Sequence, residues 1–238
     1  MMKPSNERID LTVYLRAFGV LARNPTVIVL PLLAGVIGVL VGQLSDPGGG
    51  GFLGSITTFL LLLIQLFALG VAIIIADMGW RKGRGSFDDA WQDARMKGRD
   101  ILFAAFGFTF VLSIAQYAGT ILPGFISIVL LAIAVYALIY TIAAASIGGI
   151  PGSAAISISI ERVRSAPLTS ALLTGVSLVL MLYVAHNLDL LVFESLGVTS
   201  PLIGSLLDAL FQSIVTGYIA IVMAKVYSDV SFTAPRTW

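Results

Sequence analysis

Cysteine is absent from the 238 residues, and histidine occurs once, at His186. Disulfide frameworks, thiolate metal sites and cysteine nucleophiles are thereby excluded, and no cofactor is expected. Charge is also scarce, since Asp, Glu, Lys and Arg make up 11% of the chain against about 25% in a soluble domain. Catalytic motifs are missing as well: no Walker A loop, no H-E-x-x-H helix and no G-x-S-x-G elbow occurs. Gly49, Gly51 and Gly54 match G-x-G-x-x-G only formally, in a glycine-rich loop with no strand before it. These absences point away from an enzyme.

What the chain has instead is apolar length. Hydrophobic residues make up 58%, and six stretches reach the roughly 20 residues that cross about 30 Å of hydrocarbon at the helical rise. They run from Pro25 to Leu44, Ile56 to Ala76, Asp100 to Thr120, Gly124 to Ile147, Leu168 to Leu191 and Leu202 to Tyr227. The expected fold is therefore all-α: a single polytopic membrane domain, residues 1–238, with six transmembrane helices. No cleavable leader is expected, because Lys3, Glu7, Arg8, Asp10, Arg16 and Arg23 precede the first apolar run.

The 14 lysines and arginines give the spans a direction. All of them lie before the first span, between the second and third, between the fourth and fifth, or around the end of the sixth. The three intervening linkers contain none. Because basic loops stay in the cytoplasm, a multi-pass protein of the cytoplasmic membrane with both termini inside is expected. Trp80 and Trp91 fall at the expected inner interface.

Each odd span follows a short amphipathic segment. Phe87, Ala90, Trp91 and Ala94 share one helical face, and Ser86 with Asp89 resembles a capping box. The first copy uses Leu11, Leu15, Phe18 and Ala22, and the third uses Ile156, Ile160 and Val163. The third is ambiguous, because Ile156 to Ile160 also alternates with the period of a strand. The copies recur about every 70 residues, which fits one interfacial helix plus two spans. Three tandem units are expected, over residues 8–77, 86–147 and 154–227.

The sixth span carries a small stripe, Ser205, Ala209, Ser213 and Gly217, beside Asp208, Gln212 and Thr216. Such a face is either a helix-packing seam or the wall of a wetted pathway. Asp208 and Gln212, with His186 and Asp189 from the fifth span, form a candidate polar cluster. It could bind a cation, relay a proton, or serve as hydrogen-bonded structure. Thr109, Ser113, Gln116 and Thr120 give the third span a similar face, and Gln65 interrupts the second. Pro31 is expected to kink the first span. Arg81, Lys82, Arg84, Lys97 and Arg99 are candidate contacts for anionic lipid, and the positive-inside rule accounts for them without nucleic acid.

Ala22-Arg23-Asn24-Pro25 and Gly85-Ser86-Phe87-Asp88-Asp89-Ala90-Trp91 resemble recurring patterns of an uncharacterised bacterial and archaeal family of six-span membrane proteins. The organisation is similar to the membrane region attached to some glycerophosphodiester phosphodiesterases. The resemblance implies a membrane module and carries over no catalytic or metal-binding residue, since no phosphodiesterase domain is present. Two functions are compatible with the sequence. One is transport or permeation of a small solute or ion; the other is a non-catalytic component that binds lipid or assembles partners. Membrane lipids and a homo-oligomer or membrane-complex partner are the expected associations.

Overall fold

The structure, a computed structural model, describes residues 9–44, 52–121, 124–184, 187 and 200–233. Its helices are α1 (Thr12–Arg23), α2 (Val29–Leu44), α3 (Phe52–Lys82), α4 (Phe87–Met96), α5 (Gly98–Ile121), α6 (Gly124–Leu138), α7 (Thr141–Ser146), α8 (Ala155–Ser165), α9 (Pro167–Val179) and α10 (Pro201–Thr233). No strand occurs among the described residues. Isoleucine and serine alternate in α8, yet the segment is helical.

Five helical stretches are long and apolar enough to cross a membrane: Pro25–Gln43, Gly54–Lys82, Gly98–Ala118, Gly124–Ser146 and Pro201–Val230. Ala155–Ser165 and Pro167–Tyr183 qualify together as a sixth, bent by 112°. The bend falls where the sequence separates interfacial helix from span. Asn24, before Pro25, has φ −130° and ψ 60°; Ala166, before Pro167, has φ −138° and ψ 68°. A proline disfavours the helical region for its predecessor, so the same dipeptide logic turns the chain at both sites. A short helix followed by two long helical stretches begins at α1 and at α4, and α8, α9 and α10 follow in a similar order with α9 the shorter.

Pro31 does not act as a mid-span kink. Residues Pro25–Ile28 form a 3-10 turn and the α-helix begins at Val29, so Pro31 lies in the first turn, where an N–H lacks an intrahelical acceptor anyway. At the head of α4, Ser86 Oγ accepts from the Asp89 N–H at 3.3 Å, as the capping signature predicts. Ser86→Ala is expected to destabilise the fold by about 1 kcal/mol, read as a lowered midpoint of thermal unfolding in detergent.

Neighbouring spans pack in a closed ring, α2 to α3, α5, α6, α9 and α10, then back to α2, with α3 and α10 also packed across it. The second span of each pair supplies the centre: Val71 to Ala76, Leu138 to Ser146 and Tyr218 to Ala224 are buried throughout. These runs lie toward the ends that carry the basic residues. In the opposite halves of the same helices, Ile56, Leu60, Phe125, Ile128, Leu202 and Ile203 are exposed. Among the described residues, the continuously buried runs are therefore concentrated toward the basic end.

Two side-chain staples tie span entrances to the segments that precede the next short helix. Asn24 is buried; its Oδ1 accepts from the Gly85 N–H at 2.7 Å while its Nδ2 donates to the Val20 carbonyl at 2.9 Å. Asp100, at the start of the next odd span, accepts from the Gly152 N–H at 3.0 Å. In each case a polar side chain at a span entrance ties down the glycine that leads into the following short helix. Trp80, beside the basic residues at the end of α3, donates its indole N–H to the Ile221 carbonyl at 2.8 Å.

Helix α1 docks through Val13 and Ala17, and the Tyr218 hydroxyl donates to the Tyr14 carbonyl at 2.9 Å. Burial, with a smaller contribution from Tyr218, pushes the Tyr14 phenol up to about 12. The folded protein therefore keeps this phenol neutral while the unfolded chain ionises it from about pH 10. Its contribution to stability is present below that pH and is lost as the pH rises toward 12. Tyr14→Phe is expected to flatten this alkaline loss in thermal unfolding curves.

Candidate functional site

The fourth span runs as one stretch over Gly124–Ser146, with a local interruption of its helical hydrogen bonding. Helix α6 ends at Leu138 and α7 starts at Thr141, although nothing in Leu138-Ile139-Tyr140-Thr141 is a helix breaker. The interruption is held from outside the span. Ser159 Oγ, buried on α8, accepts from the Tyr140 N–H at 3.1 Å and lies 2.9 Å from the Ala137 carbonyl as its donor. Non-helical backbone inside a membrane bundle persists where neighbouring hydroxyls meet its freed groups, and Ser159 does so here.

Tyr140 also reaches the fifth span. Ser170 Oγ on α9 is 3.1 Å from Tyr140 Oη, and the Tyr136 hydroxyl donates to the Pro167 carbonyl at 3.2 Å. Ser170, Thr174 and Ser177 follow at i, i+4 and i+7, so they line one face of α9, and all three are buried. Thr109 on α5 and Thr141 on α7 are fully buried. Among the described residues, the hydroxyls of Thr109, Thr141, Thr174 and Ser177 have no hydrogen-bond partner in the protein. This is unusual, because serine and threonine in a helix can donate to a carbonyl of the preceding turn. On α10 they do so: Ser205 bonds Pro201, Ser213 bonds Leu210 and Thr216 bonds Gln212, all through main-chain oxygens.

The small stripe of α10 is a packing seam. A Cβ on Gly35 of α2 would stand 3.1 Å from Ala209 Cβ, and one on Gly217 would stand 3.1 Å from Ile28 Cγ1. Of the sequence-derived polar cluster, Asp208 and Gln212 are half-buried on α10, while His186 and Asp189 lie outside the described residues. Asn187 donates to the Tyr183 carbonyl of its own span at 2.7 Å. Among the described residues no three His, Asp or Glu side chains group as metal ligands would. Ser113, Gln116 and Gln65 are exposed. The buried hydroxyl face of α9 was missed by sequence reasoning, although the spacing of Ser170, Thr174 and Ser177 could have found it.

The basic residues are unequally engaged. Lys97 Nζ donates to Asp93 at 2.8 Å and to the Ser146 carbonyl at 3.0 Å, where a cation complements the C-terminal end of α7. Arg81 pairs with Asp77 at 3.0 Å, and the Arg99 guanidinium lies 5.7 Å from the Phe103 ring centroid. Lys82 and Arg84 are exposed.

Taken with the apolar spans, this arrangement defines an integral membrane protein of the polytopic, all-helical class. Comparison with protein-family models, curated proteins and solved structures gives no match. The chemistry of the interior is thus the basis for a functional reading.

Proposed function

We propose that the protein forms a transmembrane pathway for a small polar solute or ion, running beside the local interruption of the fourth span and the hydroxyl face of α9. The observation that carries the reading is the set of four buried hydroxyls without protein partners on three different spans. A buried hydroxyl left unpaired costs about 1–3 kcal/mol, and such groups are met by water or by solute that can enter. Discontinuous spans line substrate sites in many transporters, because they present polar backbone where a continuous helix would not. The packed runs around Ile74, Ala143 and Ile221 would close this pathway at the basic end.

Flux into proteoliposomes tests the reading. Wild-type protein is expected to pass a small polar solute or ion faster than empty liposomes, and Thr174→Val with Ser177→Ala is expected to lower that rate. Wild-type flux equal to empty liposomes, across neutral solutes and ions, would overturn it. The distribution of the 14 basic residues supports cytoplasmic placement of both termini and residence in the cytoplasmic membrane. Kinship with the six-span family is part of the same proposal. It rests on the sequence of the segments Ala22–Pro25 and Gly85–Trp91 alone.

A second reading, a component that binds lipid or assembles partners, is favoured by the exposure of Lys82, Arg84 and Arg95 near one end of the bundle. Purification in mild detergent followed by mass spectrometry separates the two. A retained lipid or partner in a protein without flux would select this second reading.

A further inference from the structure

Helix α1 has three faces, where an ordinary surface helix has two. Val13 and Ala17 are buried against the bundle, with 4% and 0% exposure. Leu11, Leu15 and Phe18 are 61%, 74% and 60% exposed, and with exposed Ala22 they form an apolar strip at the i, i+4, i+7, i+11 spacing. One edge of the strip is anchored where the Phe18 ring meets that of Tyr218, with centroids 4.6 Å apart. Arg16 and Arg23, seven residues apart, are exposed and share a third direction with Thr12. At about 100° per residue, this arginine row sits roughly a quarter-turn round from the apolar strip.

We propose that α1 is a lipid-docking element: its apolar strip enters the acyl region of the leaflet at the basic end of the bundle, and Arg16 and Arg23 bind anionic headgroups there. The charge pattern favours lipid over a second copy, which would meet the same two arginines with its own. It also favours an interfacial position over deep insertion, since arginines beside an apolar strip suit the headgroup boundary. The strip leads through Asn24 into α2, where Val29, Leu33, Ile37 and Leu40 are likewise exposed, so the apolar exterior of the first span continues onto it. The other two short helices are not built this way. In α4 the residues Asp88, Asp89 and Gln92 are exposed, and α8 exposes Ser157, Glu161 and Arg164. The anionic-lipid contact thus falls on α1 more than on the loop preceding α4, where Arg81 already has a carboxylate partner. This inference does not depend on the pathway reading.

The absence of cysteine allows a site-specific test in the full-length protein. A fluorophore attached at Leu15→Cys is reconstituted with brominated phosphatidylglycerol or brominated phosphatidylcholine, and quenching is compared with the same label at Thr12→Cys. Quenching is expected to be strong at residue 15, weaker at residue 12, and greater for the anionic lipid. Arg16→Gln combined with Arg23→Gln should reduce the anionic preference by up to about 25-fold, the equivalent of two surface charges. Equal quenching by both lipids in wild type and variant would overturn the headgroup assignment. No quenching by either lipid would overturn lipid docking altogether, and self-quenching between labelled chains would replace it with a contact between copies.

Discussion

Gly152→Ala is expected to yield little folded protein, whereas Gly42→Ala should be tolerated or mildly stabilising. At Gly152 a Cβ would collide with the Asp100 carbonyl and stand 2.8 Å from Phe103 Cβ. The first of these neighbours is backbone, which cannot rotate aside. The glycine is buried, and its N–H is the donor of the second staple. Overpacking alone costs about 1–3 kcal/mol, and displacing the glycine would also leave the Asp100 carboxylate without that donor. At Gly42 no atom lies within 4 Å of the added carbon, so alanine there gains up to about 1 kcal/mol of helix propensity. Thermal unfolding in one detergent compares the two directly. A Gly152→Ala protein as stable as wild type would show that the Asp100 staple does not hold the start of α5 to the segment before α8.

The second large effect is expected at Ser159. Replacing it with valine, which matches threonine in volume, adds a methyl group's bulk at a buried site and orphans the Tyr140 N–H and the Ala137 carbonyl, which lie 3.1 Å and 2.9 Å from the serine oxygen. Each orphaned buried group costs about 1–3 kcal/mol, so several kcal/mol of stability should disappear. Ser159→Thr retains the hydroxyl and should recover much of the loss. If valine and threonine behave alike, the break in the fourth span does not depend on this hydroxyl. If the break lines a pathway, the valine variant should also lose flux in whatever fraction remains folded.

These two sites show where sequence reasoning reaches and where it stops. Spans and short helices are legible because hydrocarbon thickness and amphipathic spacing act locally; Ser86, Asp89 and the residues before Pro25 and Pro167 mark their ends without any tertiary information. The break at Ile139 and Tyr140 is not legible, because its cause lies on α8 and no glycine or proline announces it. Pro31 misleads in the opposite sense, since a 3-10 turn from Pro25 moves the helix start and makes the proline harmless. The stripe on α10 was open to two readings, and the approach of Gly35 to Ala209 decides for packing. The sequence singles out Asp208, Gln212, His186 and Asp189, which are ionisable or amide side chains, whereas the unpartnered groups on α5, α7 and α9 are neutral hydroxyls; away from those helices Tyr14 Oη, Thr26 Oγ1 and Arg162 Nε also lack partners among the described residues. Whether a hydroxyl bonds its own preceding turn depends on rotamer and neighbours, and no spacing rule encodes that.

The central claim is that this hydroxyl-lined interior is reachable by water from the end opposite the basic residues. Single-cysteine variants at Thr174, Ser177 and Ala143 can be exposed to a small membrane-impermeant thiol reagent from each side of sealed vesicles. The account predicts modification at positions 174 and 177 from the side opposite the basic loops, and protection of position 143, which sits in the fully buried run. Equal protection at all three positions, from both sides, would contradict it.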